Sequence, residues 1–205
     1  ALSAKKTGCT GHMTKLHRLH TVCEEAQCPN QPYCYAKPTA AFLILGDICT
    51  RNCRFCAVEH GIPSMLDSDE PMRIAAAAEA MELRYVVITS VTRDDLSDGG
   101  AHQFSSTIKA IRQRLPHACI EVLIPDFQGN ESALESVLAA APDVLNHNIE
   151  TVPRLYANVR PEADYSRSIH LLTCAKKIAP HIKTKSGLMV GLGERLDEVI
   201  EVFHD

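Results

Sequence analysis

Cys49, Cys53 and Cys56 stand in the spacing C-x3-C-x2-C directly after an apolar run at 40–45. Three thiolates on one short loop can converge on one metal centre, and such soft ligands favour iron–sulfur clusters, zinc or copper(I). A 4Fe–4S cube normally takes four thiolates. Held by three, it leaves one iron free for a small-molecule ligand, much as a catalytic zinc keeps an open position. A second triplet, Cys23, Cys28 and Cys34, precedes the first in the spacing C-x4-C-x5-C and also needs a fourth ligand from elsewhere. Pro29 and Pro32 forbid a regular helix through its second half and predict a turn-rich loop. The competing readings are zinc or incidental thiols for the first triplet, and structural zinc or a disulfide for the second. Zinc sites usually pair C-x2-C units at a distance, whereas the first triplet sits on a loop after a buried strand.

Nine cysteines in 205 residues are too sparse for a disulfide scaffold, and the number is odd. Six fall in the two compact triplets, which favours metal ligation over stapling, since disulfides spread cysteines across a fold to close long loops. Cys119 opens an apolar strand and Cys174 sits in a helical pattern, so both read as buried small hydrophobes, and Cys9 reads as a bystander. His12, His17 and His20 read as scattered surface histidines rather than ligands. Lysine and arginine number 21 against 25 acidic residues, a net charge of −4, so no basic face argues for nucleic acid. No apolar run approaches the roughly 20 residues of a membrane span, and residues 1–22 lack the apolar core of a secretory signal. The expected setting is reducing and cytoplasmic, with a mitochondrial or plastid matrix as the alternative.

The elements that must position these sulfurs alternate in type. Apolar runs at 42–45, 85–89, 120–124, 144–148 and 182–190 read as strands. Amphipathic segments follow them: Pro71 with Ile74, Ala78 and Met81; then Phe104, Ile108, Ile111 and Leu115; then Leu134, Val137, Leu138 and Ala141. A fourth helix carries Leu171, Ala175 and Ile178 before Pro180, and a fifth carries Leu196, Val199, Ile200 and Phe203. Apolar strands joined through helices predict an α/β fold with a parallel sheet buried on both faces. Chemistry in such folds collects at the carboxyl ends of the strands. The cluster loop, residues 89–100, Asn146, Asn148 and Glu150, and Lys185 and Ser186 all fall there. The glycine pair Gly99-Gly100 permits close backbone approach to a ligand, with Asp98 acting alternatively as a helix cap. Asn148 and Glu150 alternate to one side of an extended chain and can bond a ribose or a methionyl group, or form a solvated strand end.

The two cysteine spacings in this order resemble the lipoyl synthase family of radical S-adenosylmethionine enzymes. Residues 19–26, 44–51, 54–58, 89–101, 146–151 and 184–194 resemble the family's wording, so the resemblance runs from about Leu19 to the last residue. It implies a (β/α)6 radical-SAM barrel, present here as about five parallel strands with outer helices. The domain reading is an N-terminal cluster-binding extension, 1–38, followed by the barrel domain, 39–205. The resemblance implies two 4Fe–4S clusters, one on Cys49, Cys53 and Cys56 that chelates S-adenosylmethionine, and an auxiliary one on Cys23, Cys28 and Cys34 that donates sulfur. Asp98, Gly99, Gly100, Asn148, Glu150, Arg160 and Lys185 are the implied contacts of the cofactor; Arg160 either meets its carboxylate or pairs with Asp164.

The implied reaction inserts two sulfur atoms at C6 and C8 of an octanoyl chain on a lysine. The implied partners are an octanoylated lipoyl carrier, either the glycine cleavage H protein or a 2-oxoacid dehydrogenase E2 domain, and a reductant such as flavodoxin or ferredoxin. Neither nucleic acid nor membrane enters. The family's barrels have six strands and an Arg-Ser-Ser-type motif near the carboxyl terminus, whose serine is the implied fourth ligand of the auxiliary cluster. No such triplet occurs here. The expectation is therefore a carboxyl-truncated piece of low stability without full turnover. Two alternatives stand beside this reading: a biotin-synthase-like sulfur inserter, which has no reason for the Cys23 triplet, and a non-enzymatic zinc module.

Overall fold

Alternation along the strands decides which face each residue meets, and the register shows the result. The computed structural model describes residues 16–35 and 39–205, so Cys9 and His12 lie outside the described residues. The central strands are β2 (Thr39–Ile44), β5 (Tyr85–Ser90), β6 (Cys119–Leu123), β7 (Val144–Asn146) and β8 (Lys183–Lys185), all paired in parallel. Between β2 and β5 lie two short strands, β3 (Ile48–Cys49) and β4 (Glu59–His60), paired with each other. At the other edge of β2, strand β1 (His20–Thr21) adds antiparallel and completes the order β1-β2-β5-β6-β7-β8. The five parallel strands match the sequence expectation. The antiparallel edge strand was not anticipated, because two residues are too short to show a period.

Phe42, Ile88, Val122 and Leu145 form one row across the sheet, and none has exposed surface. That face is covered by α3 (Glu70–Ala80), α4 (Ala101–Arg114), α5 (Glu131–Ala139) and α7 (Tyr165–Ile178), whose Ile74, Ala78, Phe104, Ile108, Leu134, Val137 and Leu171 share the same core. Pro71 sits in the first turn of α3, where the missing N–H costs nothing. The next row, Leu43, Thr89, Leu123, Asn146 and Lys185, faces the opposite side and grows polar toward β8. Burial of a large aliphatic or aromatic side chain is worth about 1.5–3 kcal/mol. The first row therefore holds the sheet to its helices, and the second is left for function.

Four local expectations change. The segment 182–190 is not one strand: β8 ends at Lys185, and pairing resumes only as a bridge between Glu150 and Leu188. The break follows from β7, which is three residues long, and from Glu150, which takes a left-handed φ of 68° and ends the ladder. The second half of the Cys23 triplet does form a helix, α2 (Gln31–Tyr35), after the short α1 (Val22–Glu25). Pro32 lies in the first turn of α2, the one place where a helix tolerates it. Cys119 and Cys174 are half-buried rather than buried. In the last helix, α8 (Leu196–His204), only Val199 of the apolar stripe packs inward; Leu196, Ile200 and Phe203 are exposed.

Gly100 begins α4 with φ 89°, and a Cβ there would lie 2.3 Å from Cδ1 of Leu45. Gly191 has a similar φ of 100° but nothing within 4 Å. Gly191→Ala should therefore cost only the left-handed strain, roughly 1–2 kcal/mol. Gly100→Ala should cost about 1–3 kcal/mol more, because Leu45 must also move. Urea denaturation of the two variants compares them directly, and equal losses would remove the steric part of this argument.

Candidate active site

The cluster loop begins where β2 ends. Leu45 takes a left-handed φ of 70°, held from both sides: its N–H donates to Glu70 Oε2 at 3.1 Å, and its carbonyl accepts from Arg93 at 3.1 Å. Gly46 continues the turn at φ 92° into β3, which carries Cys49. The loop is then clipped to the segment after β5 and to the end of the short helix α6 (Tyr156–Val159). The Thr50 N–H and hydroxyl both donate to the Thr92 carbonyl, and the Arg54 N–H donates to the Val159 carbonyl at 2.9 Å. Sγ of Cys49 accepts from the backbone N–H groups of Arg51 at 3.4 Å and Thr92 at 3.3 Å. Hydrogen bonds of this kind to a ligating sulfur tune a cluster's potential.

Arg51, between the first two cysteines, anchors this loop. Its side chain is 4% exposed and makes two bonds each to Asp94 and Asp126, at 2.6–3.0 Å. Asp94 lies after β5 and Asp126 after β6, so one guanidinium ties three strand ends together. Burial alone would raise the Asp126 pKa, but the Arg51 guanidinium outweighs it and holds the group down at about 2. Sequence reasoning did not single out Arg51. Its available signal was an arginine inside a cysteine motif, with aspartates closing two later strands.

Cys49, Cys53 and Cys56 line a cavity of about 230 Å³ together with Asn148, Glu150 and Arg160. Burial pushes the Cys53 thiol up to about 11, against the opposing charge of Arg160, and raises Cys56 as well. Without a cation these thiols stay protonated at neutral pH, so metal uptake must release protons. Cys28 and Cys34 stand close enough to Cys23 to add to the burial that pushes its thiol up to about 11. Val22, next to Cys23, forms part of the same cavity wall as the first triplet.

Two buried polar groups beside the cavity lack a partner. The Nε of Arg160 and Oγ of Ser90 are buried without a hydrogen-bond partner, and both residues line it. Arg160 is held over the Tyr156 ring and donates through one amino group to the carbonyls of Asn148 and Ile149. It makes no ion pair with Asp164, whose carboxylate instead caps α7 through the Arg167 N–H at 2.7 Å. Burial raises the pKa of Glu150, with Asn148 and Arg160 opposing. His147 also lines the cavity, but both its ring nitrogens are engaged, Nδ1 with the Ile124 carbonyl and Nε2 with the Ser168 hydroxyl. These donors and acceptors suit a zwitterionic, ribose-bearing ligand.

Asp98, Gly99, Gly100 and Lys185 lie outside this lining. The carboxylate of Asp98 accepts from the Gly100 and His102 N–H groups at the start of α4. Gly99 packs on Phe127 and Gly100 on Leu45. Lys185 pairs at 2.8 Å with Glu121, which also accepts from the Tyr85 hydroxyl. His20 bonds Glu25 through Nδ1 at 2.9 Å.

The family model of the radical SAM superfamily matches residues 43–205. The chain belongs to the radical SAM superfamily. It is 60% identical over 187 residues to the lipoyl synthase of Caldanaerobacter subterraneus subsp. tengcongensis, covering 91% of this chain and 66% of that relative. With the lipoyl synthase of Caldicellulosiruptor saccharolyticus the identity is 59% over 184 residues, covering 90% of this chain and 65% of the relative. The chain thus spans just under two thirds of the length of these curated relatives. Among solved structures, methylornithine synthase (PylB) superposes with a TM-score of 0.60 at 13% identity, over 98% of this chain and 62% of that one, a likeness of fold alone. Membership of the superfamily implies a 4Fe–4S cluster and S-adenosylmethionine, which accords with the three-thiol loop and the unpartnered donors beside it. Among the described residues, no helix is long and apolar enough to cross a membrane.

Proposed function

We propose that this chain is the cluster-bearing part of a lipoyl synthase, which inserts two sulfur atoms at C6 and C8 of an octanoyl-lysine on a lipoyl carrier. One observation carries the reading. Val22, next to Cys23, walls the same cavity as Cys49, Cys53 and Cys56, so an auxiliary centre held by Cys23, Cys28 and Cys34 would stand beside the wall of that cavity. Cys49, Cys53 and Cys56 would hold the cluster that binds S-adenosylmethionine, and Cys23, Cys28 and Cys34 the auxiliary cluster. When bound, these groups supply hydrogen-atom abstraction and the inserted sulfur.

The remaining work belongs to the chain's own residues. The free Nε of Arg160 and hydroxyl of Ser90 orient the methionyl end, while Asn148 and Glu150 present acceptors to the ribose. Glu150 is positioned for this by its left-handed backbone, the kind of strained conformation that functional sites retain. Asp98, Gly99 and Gly100 act at one remove, by starting α4 at the rim, and the Arg51 bridges keep the loop from moving as ligands enter. The glycine cleavage H protein or a 2-oxoacid dehydrogenase E2 domain would carry the substrate, and flavodoxin or ferredoxin the electron, in a cytoplasmic setting.

The test uses the full-length protein, purified anaerobically. Two 4Fe–4S cubes give about eight irons with matching sulfide. Cys23→Ala should lower this to about four, abolish lipoyl product, and leave S-adenosylmethionine cleavage to methionine and 5′-deoxyadenosine largely intact. Stoichiometric zinc without sulfide would end the radical reading, and undiminished lipoyl product from Cys23→Ala would end the auxiliary-cluster reading.

A further inference from the structure

Away from the cavity, three ligand-type side chains converge where α5 meets α7. Glu131 opens α5, and His170 and Cys174 stand four residues apart on α7, which places them on one helix face. Nε2 of His170 lies 3.0 Å from Oε1 of Glu131 and 3.3 Å from Sγ of Cys174. That sulfur is 3.9 Å from the same carboxylate oxygen. One nitrogen, one oxygen and one sulfur therefore face a common point.

This geometry separates two kinds of chemistry. In a nucleophile–base–carboxylate relay, the imidazole uses one ring nitrogen for the nucleophile and the other for the acid. Here both partners address Nε2, so the set does not form a relay. A chelate wants this convergence. Tetrahedral zinc, with a Zn–S bond of about 2.3 Å and Zn–N and Zn–O bonds of about 2.0–2.2 Å, sets ligand-to-ligand edges of about 3.4–3.6 Å. The three observed edges straddle that range by a few tenths of an ångström, within the reach of small side-chain rotations.

We infer that Glu131, His170 and Cys174 form a zinc(II) site that is independent of the cysteine triplets. Mixed sulfur, nitrogen and oxygen donors suit this borderline-soft ion and disfavour magnesium or calcium. Glu131 and His170 are each about 60% exposed, so the ion enters without unfolding and its fourth position is open to water. Bound there, zinc ties the first turn of α5 to the middle of α7. The inference stands apart from the proposed sulfur insertion, since no group in it lines the cysteine cavity.

The experiment takes full-length protein with its iron–sulfur clusters loaded, equilibrated with zinc chloride and freed of excess. Zinc content and the zinc K-edge absorption fine structure are measured beside iron and sulfide. The expected result is one zinc per chain with a single sulfur at about 2.3 Å and nitrogen or oxygen completing the shell. His170→Ala and Cys174→Ala should each lose that zinc while iron and sulfide stay unchanged. Because His170 is exposed, its variant keeps the fold even if Cys174→Ala loosens α7. Zinc retained in both variants, or a shell of three or four sulfurs drawn from the triplets, would overturn the assignment.

Discussion

Arg51→Met is expected to destabilise the chain by about 3–5 kcal/mol, the range for removing one partner of a buried ion pair. The substitution keeps an unbranched chain of similar length, so the loss is electrostatic rather than a cavity. It strands Asp126, whose side chain is 1% exposed and would keep only the Gln128 N–H at 3.0 Å and a 3.2 Å contact to the partly exposed Arg167. It also frees Asp94 from its two bonds and removes the loop's tie to Asp126 beyond β6, leaving the Thr50 bonds to the Thr92 carbonyl after β5. With typical domain stabilities of 5–15 kcal/mol, such a loss leaves little margin. Equilibrium urea denaturation at neutral pH measures it, and adding Asp126→Asn should recover part of it, because the uncompensated charge is then gone. A loss below about 1 kcal/mol would mean that the bridge is solvated and the argument mistaken.

The same pair sets an acid limit. The folded pKa of Asp126, about 2, lies below its ordinary 3.8, so the ionised group favours the folded state. Its contribution, about 2 kcal/mol at a little over 1.3 kcal/mol per unit, is present above about pH 4 and lost as the pH falls toward 2. In Arg51→Met that acid-side loss should flatten, which a pH series of denaturation midpoints reads.

In the full-length protein, Cys53→Ala should lower iron from about eight to about four per chain and S-adenosylmethionine cleavage to the uncatalysed background. A cube left with two protein thiolates has no stable hold on the loop. The contrast with Cys23→Ala is the informative part, since that variant should lose a similar amount of iron and keep cleavage. Iron and sulfide analysis with quantification of 5′-deoxyadenosine resolves the pair. Cleavage surviving in Cys53→Ala would move the S-adenosylmethionine site away from this loop.

The parts of this protein readable from the chain alone are those set by local spacing. Three thiols within eight residues single out a candidate metal-binding loop whatever the fold around them, and Phe42, Ile88, Val122 and Leu145 advertise strands because a buried row demands apolar residues. The same logic found the outer helices, and also over-read α8, whose apolar stripe remains largely exposed in the structure. A stripe records that a face seeks cover, not that it has found any. What only the tertiary structure decided are pairings between distant residues. Arg51 meets aspartates 43 and 75 positions away, His20 and Thr21 join an edge more than twenty residues downstream, and Glu131 meets a histidine and a cysteine from another helix. A hydrogen bond or a chelate depends on where strand and helix ends arrive in space. No periodicity along the chain encodes that, so the scaffold and the sulfurs were legible while the bridge that holds the loop had to be seen.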